Sequence, residues 1–301
     1  MIQVEDLTKS FDSVRAVDNA TFGIPSGSIT VLAGADGAGK STLFKMILGL
    51  VRKDGGEIFL KGKSVGKDFS QITRITGYMP ERFSLYPDLS VEENLNFFAD
   101  IYGTPLKRRE ELKTRLLDRT GMSDFINRRA RDLSGGMRQK LALSTILLSS
   151  PEFIILDEPT TGVDPISRIE FFEIIDELKN EGKTIFIATP YLDEAEKGDR
   201  IIFIKKGGIL LEDSIAELKK NFPARLMQIL PEENIFQTMD NLEKNPKIRA
   251  NVYMRGRYLR FMETDNVNFP DNISIKEKSE IPPTLEDIYI FYERAAADDR
   301  R

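Results

Sequence analysis

The chain has 301 residues, 41% hydrophobic and 30% charged, with 43 Lys and Arg against 48 Asp and Glu and a formal net charge of −5. It contains no Cys, Trp or His, which excludes disulfides, thiolate nucleophiles, Cys/His metal sites and imidazole chemistry. Neither side of a division after Glu212 is net basic, so wholesale electrostatic binding to nucleic acid or anionic lipid is disfavoured. No stretch approaches the roughly 18 apolar residues of a spanning helix. The opening MIQVEDLTKSF alternates polar and apolar residues and lacks the apolar core of a signal peptide, so cytosolic residence is expected.

In chain order, the first thirty residues read as short strands, with Ile2, Val4 and Leu7 before Phe11, then Ala16–Val17 and Phe22–Ile24. Ile29–Ala33 is an apolar run that stops at a glycine cluster, and Ser41–Leu50 follows with helical spacing. Strand, Gly-rich turn, helix is the start of an α/β nucleotide-binding core. From about Glu81 to Ser150 the signals are helical. Ser90 and Glu93 form a capping box, and Leu95, Phe98, Ala99 and Tyr102 supply an apolar stripe. Phe153–Leu156 is a buried strand, and Asp164-Pro165 opens a helix that ends near Gly182. Thr184–Thr189 and Ile201–Ile204 are further strands, which makes a parallel sheet covered by helices. After Glu212 the texture weakens to strands at Asn251–Met254 and Tyr258–Met262, a short helix at Leu285–Tyr292, and a frayed tail at Ala295–Arg301. This predicts a main domain over 1–212, its helical part at about 82–150, and a small α+β domain over 213–301.

Gly34-Ala35-Asp36-Gly37-Ala38-Gly39-Lys40-Ser41, followed by Thr42, fits the G-x-x-x-x-G-K-[ST] pattern. Its glycines let backbone N–H groups point at a phosphate, and the helix N-terminus adds partial positive charge. Lys40 is expected to bridge the β and γ phosphates, and Ser41 to ligate Mg²⁺. Asp157-Glu158, at the end of the Phe153 strand, supplies the acidic half: Asp157 for the metal and Glu158 to polarise the attacking water. A chance match, or a solvated Asp-Glu turn, is the plain alternative. Placement between strand and helix argues against it.

Leu133-Ser134-Gly135-Gly136-Met137-Arg138-Gln139, upstream of Asp157, resembles the signature of ATP-binding cassette (ABC) proteins. The resemblance spans roughly residues 1–212. It implies an α/β fold: a P-loop ABC ATPase core with an antiparallel β subdomain and a helical signature subdomain, the C-terminal α+β part being an appendage. Ser134 can cap a helix whose first turn exposes N–H donors. In the family, Ser134, Gly135, Gly136 and Gln139 would act on ATP bound by the opposite subunit, so ATP and Mg²⁺ are held at a dimer interface. The resemblance also places Phe11 on the adenine, Val17 beside the ribose, Asp164 in the loop linking two composite sites, and Glu81–Leu95 against a membrane permease.

Two positions depart from the family pattern. Glu81 stands where a metal-ligating glutamine is usual; it still offers an oxygen but adds charge. Pro190 stands where a switch histidine is usual, and proline has neither a side-chain donor nor an N–H. Ala35-Asp36, Tyr191-Leu-Asp-Glu-Ala195 and Pro283-Thr-Leu-Glu-Asp287 resemble drug-exporter ATPases, in particular the first cassette of tandem two-cassette proteins. The leading expectation is an exporter ATPase with a weakened site of its own. It would be paired with a second, histidine-bearing cassette and with permease subunits, sometimes with a periplasmic adaptor, at the cytoplasmic face of the inner membrane. A near-inactive, nucleotide-gated cassette that completes a partner's site is one alternative, and a non-transport ABC ATPase is another.

Overall fold

The alternating residues at the start of the chain form two long strands, β1 (Ile2–Phe11) and β2 (Val14–Ile24), rather than several short ones. They pair antiparallel, with register shifts after Val4, Leu7 and Lys9. Those bulges carry the ladder past polar interruptions, which is why the hydrophobic pattern reads as broken. The computed structural model describes residues 1–82 and 85–298, with backbone alone at 247 and over 295–298. The chain divides into two compact units, Met1–Glu212 and Asp213–Arg301.

In the first unit, β3 (Ile29–Ala33) leads through the glycine cluster into α1 (Lys40–Ile47). β4 (Gly55–Leu60) and β5 (Lys63–Ser64) join the opening hairpin in an antiparallel sheet of order β2-β1-β4-β5. α2 (Ser70–Ile75) precedes β6 (Thr76–Met79), a strand that the sequence pattern does not announce. The helical region follows with α3 (Val91–Ile101), α4 (Leu106–Thr120) and α5 (Gly135–Leu147). Ser90 caps α3 in the expected box, its hydroxyl accepting from Glu93 N–H while Ser90 N–H donates to the Glu93 carboxylate. The buried face of α3 differs from the expected stripe. Val91, Asn94, Leu95 and Ala99 are buried, whereas Tyr102 is exposed and Phe98 half-buried beside Phe97. Val91 starts the inward row one turn earlier, and the aromatics gather on the flank.

β7 (Phe153–Asp157), α6 (Pro165–Asn180), β8 (Thr184–Thr189), α7 (Leu192–Ala195), β9 (Arg200–Lys205) and β10 (Gly208–Ser214) complete a six-stranded sheet of order β10-β9-β3-β8-β7-β6. The pairs from β9 through β6 are parallel. β3, β7 and β8 are buried along their whole length, as strands covered on both faces must be, so they read as continuous apolar runs. One core cluster joins β1 and β2 to this sheet through α1, with Phe186 at 4.8 Å from Phe44 and 5.9 Å from Phe22 by ring centroids.

The second unit holds α8 (Ile215–Lys220), β11 (Arg225–Pro231), α9 (Ile235–Glu243), α10 (Pro246–Arg249), β12 (Val252–Arg255), β13 (Tyr258–Glu263), β14 (Ile275–Glu280) and α11 (Leu285–Asp298). Its sheet has the order β12-β13-β11-β14 and is antiparallel. Ile229, Val252, Leu259 and Phe261 centre its core. The Pro-Thr-Leu-Glu-Asp phrase starts α11: buried Asp287 accepts from Thr284 N–H at 2.7 Å and from the Tyr253 hydroxyl. α11 continues to Asp298, so the segment expected as a frayed tail is helical as far as it is described, and 299–301 lie outside the described residues.

Candidate functional site

Three loops leave the sheet side by side. β8 lies between β3 and β7, with Ala33 paired to Thr189 and Asp157 to Ala188. The glycine loop after β3, the Glu158 loop after β7 and the Pro190 turn after β8 therefore emerge at the carboxyl ends of neighbouring strands. That is where open parallel sheets bind ligands.

Gly39 closes the first loop with φ 109°, and a Cβ there would stand 2.3 Å from the Ala16 carbonyl oxygen. Only glycine meets both conditions. Lys40, at the start of α1, is 4% exposed. Its ammonium donates to the carbonyls of Gly34 at 2.8 Å and Ala35 at 3.2 Å, and lies 3.1 Å from Glu158 Oε1 and 3.8 Å from Asp36. Glu158 adopts φ 50°, an unusual left-handed conformation for a side-chain-bearing residue, and its N–H donates to the Ala188 carbonyl at 2.9 Å. Its other carboxylate oxygen accepts from the Thr161 hydroxyl at 3.3 Å.

Asp157 is buried, and its Oδ1 has no hydrogen-bond partner. Burial, reinforced by the charges of Glu158 and Glu81, pushes its carboxyl above the ordinary aspartate range; the Ser41 hydroxyl and Lys40 pull the other way. An orphaned buried carboxylate oxygen beside a hydroxyl and a second carboxylate is a donor set that fits Mg²⁺. No group of three His, Cys, Asp or Glu side chains among the described residues could hold a metal.

A pocket of about 640 Å³ opens over these groups and is lined by Gly37, Gly39, Lys40, Ser41, Thr42, Glu81 and Glu158, among others. Arg15, Lys206 and Gly207 also line it, and the sequence reading missed them. No motif marks Arg15. The Lys205-Lys206-Gly207 turn, with Lys206 at φ 49°, was the available signal. Val17 is fully buried in the core cluster and is not among the residues that line the pocket. Val14, Arg15 and Ala16, at the start of β2, line the wall instead. Phe11 also lies off the pocket lining; it is exposed, with the Lys9 ammonium 5.2 Å from its ring centroid. Gly34, Ala35 and Ala38 shape the loop from behind, and Pro190 is half-buried outside the lining.

The signature residues form a separate place. Ser134 caps α5, accepting from Met137 N–H at 3.2 Å. A Cβ on Gly135 would stand 3.4 Å from the Gly162 carbonyl oxygen, and one on Gly136 would stand 2.4 Å from Ser167. The start of α5 thus abuts the loop that Asp164 ends by capping α6. Gln139 lines another pocket, of about 220 Å³, together with Arg138 and Glu81. Glu81 is shared by both pockets. Phe83 and Ser84, inside the segment expected to meet a permease, lie outside the described residues.

A family model described as ABC transporter matches residues 17–161. The chain is 33% identical over 229 residues to the daunorubicin/doxorubicin resistance ATP-binding protein DrrA of Streptomyces peucetius, covering 76% of this chain and 69% of that one. The chain belongs to the ABC transporter ATP-binding family. This ABC ATPase is also 35% identical over 273 residues to the probable multidrug ABC transporter ATP-binding protein YbhF of Escherichia coli (strain K12), covering 89% of this chain and 47% of that one. It therefore spans about half the length of that relative. Among solved structures, the dimeric bacterial ABC transporter cassette MJ0796 matches with 26% identity and a TM-score of 0.64, covering 71% of this chain and 99% of that one. The same cassette in a post-hydrolysis state bound to ADP and Pi matches at 25% identity and a TM-score of 0.64, with 71% and 99% covered.

Proposed function

We propose that this ABC ATPase is the ATP-binding and ATP-hydrolysing subunit of a membrane exporter of the drug-resistance branch, with an attenuated site of its own. The observation that carries the reading is the convergence of Lys40, Ser41, Asp157 and Glu158 at the ends of β3 and β7. In this reading the glycine loop and Lys40 bind the phosphates of ATP. Ser41 and Asp157, with Glu81 nearby, would hold Mg²⁺, which supplies charge neutralisation at the phosphates. A phosphate that reaches Lys40 competes with Glu158 for the ammonium, so binding frees the carboxylate to accept a proton from water.

Met137 N–H is already taken by Ser134, which leaves the N–H groups of Gly135 and Gly136 for the γ-phosphate held by a second cassette. The names of DrrA and YbhF support the exporter branch. None of the described helices is long and apolar enough to cross a membrane, so in the proposed assembly permease subunits provide the span, with the ATPase at the cytoplasmic face. A heterodimer with a histidine-bearing sister is favoured by Pro190, which offers no donor to a phosphate or to Glu158. The same residue favours the second reading, a nucleotide-gated cassette that turns over little.

Titration with a fluorescent ATP analogue and Mg²⁺ tests the core of the proposal. Lys40→Ala should weaken binding about 10- to 100-fold, the worth of one charged hydrogen-bonding group. Unchanged affinity would refute the phosphate assignment.

A further inference from the structure

The Tyr191–Ala195 phrase follows position 190 and carries two acidic residues, exposed Asp193 and buried Glu194. Glu194 lies in α7 and is 4% exposed. Its Oε1 accepts from the Thr160 hydroxyl at 2.5 Å, and its Oε2 accepts from the Thr189 hydroxyl at 2.6 Å. Both threonines are buried. Thr189 is the last residue of β8 and adjoins Pro190; Thr160 lies two residues after Glu158. The backbone pairing of β7 with β8 stops at Asp157 and Ala188. The carboxylate thus adds a side-chain rung just past the end of the ladder, beyond the backbone bond from Glu158 N–H to the Ala188 carbonyl.

A third partner reaches the same group. Arg168, in the first turns of α6, places Nη1 3.6 Å from Glu194 Oε1. It also donates through Nε to the Val163 carbonyl at 3.1 Å and stacks its guanidinium over the Tyr191 ring at 4.6 Å. Tyr191 N–H in turn donates to the Thr189 hydroxyl oxygen at 3.1 Å. One buried carboxylate therefore connects the loop after Glu158, the residues flanking position 190, and the start of the helix that Asp164 caps.

We propose that Glu194 is a positioning residue for hydrolysis: its clasp on Thr160 and Thr189 sets where Glu158 and Asp164 sit, in a chain whose position 190 has no side chain able to do so. The proposal rests on the hydrolytic reading above. Glu194 itself touches neither the pocket lining nor Lys40. Burial pushes the Glu194 carboxyl above the ordinary glutamate range, against the pull of the two hydroxyls and Arg168. At neutral pH the ionised group is therefore held at a cost in stability, so its neutral isostere should not unfold the chain.

The test uses the full chain as wild type, Glu194→Gln, Thr160→Val, Thr160→Ser and Lys40→Ala. Three quantities are read: affinity for the fluorescent ATP analogue, phosphate release in single turnover with enzyme in excess, and amide hydrogen exchange over 158–168 and 188–195. Glu194→Gln should keep affinity within about twofold and should not lower the melting temperature, and Thr160→Val should likewise keep affinity within about twofold. Phosphate release should fall about tenfold or more, the scale of a displaced catalytic group, and exchange over 158–168 should speed up. Thr160→Ser, which keeps the donor, should behave as wild type.

Unchanged exchange over both segments in Glu194→Gln overturns the clasp. So does a joint fall of affinity, melting temperature and turnover, which would mark a general packing role. Failure of the hydrolytic reading shows differently, as no phosphate release above background from the wild-type chain in single turnover. The exchange measurement needs no turnover and decides the clasp in either case.

Discussion

At the scale of single residues, the absence of histidine acquires its consequence at Pro190. The turn after β8 stands beside the Glu158 loop, yet its side chain can neither donate nor accept. Glu158 is held instead by Lys40, by Thr161 and by its backbone bond to Ala188. Pro190→His should raise single-turnover phosphate release about tenfold, within the range of a restored proton-handling or orienting group, and leave nucleotide affinity nearly unchanged. No rise would count against the proposed attenuation at position 190. The residues with special chemistry were legible in the sequence because the glycine loop, Asp157-Glu158 and the Ser134 cap each combine unusual residue types at fixed spacing. Arg15 and Lys206 were not legible. They reach the pocket through the bend of the opening hairpin and through the turn between β9 and β10, and long-range packing places both.

At the scale of elements, one tight constraint is where α5 meets α6. Gly136 lies inside the first turn of α5, a position where glycine weakens a helix. It is tolerated because a Cβ would stand 2.4 Å from both Cβ and Oγ of Ser167. Gly136→Ala should therefore destabilise the ABC ATPase by about 1–3 kcal/mol through overpacking, read as a lower midpoint in urea. In a Ser167→Gly background the same substitution should cost far less, and equal costs in both backgrounds would deny the contact. The elements most legible in the sequence were those with both a local signal and a buried face: β3, β7, β8 and the capped starts of α3 and α6. β6 was not legible. Its four residues, Thr-Gly-Tyr-Met, carry no alternation or apolar run, and they form a strand because β7 offers a parallel edge for pairing. The inward face of α3 was misread for a related reason: a helical stripe has two possible flanks, and α5 decides between them only in the folded chain.

At the scale of the whole molecule, the residues that line the candidate nucleotide pocket all belong to the unit Met1–Glu212, and each unit has a core of its own. The place where a truncation must fall follows from the sheet. β10 runs to Ser214 and covers the edge of β9, whose central residues are fully buried. The Glu212 carboxylate accepts from Gly23 N–H at 3.1 Å and lies 3.3 Å from Arg200, so β10 also fastens the opening hairpin to the sheet. A chain ending at Ser214 should keep affinity for the fluorescent ATP analogue within about threefold, since about 0.65 kcal/mol covers that range. It should also elute as a folded species in gel filtration. A chain ending at Lys205 removes β10, bares an apolar edge that templates strand pairing, and should aggregate. Loss of nucleotide affinity in the chain ending at Ser214, with its fold intact by circular dichroism, would show that residues beyond Ser214 act on the pocket. Retained affinity assigns phosphate binding to the first unit alone and leaves the second, with its buried Asp287 and its own antiparallel sheet, free to be tested for a separate role.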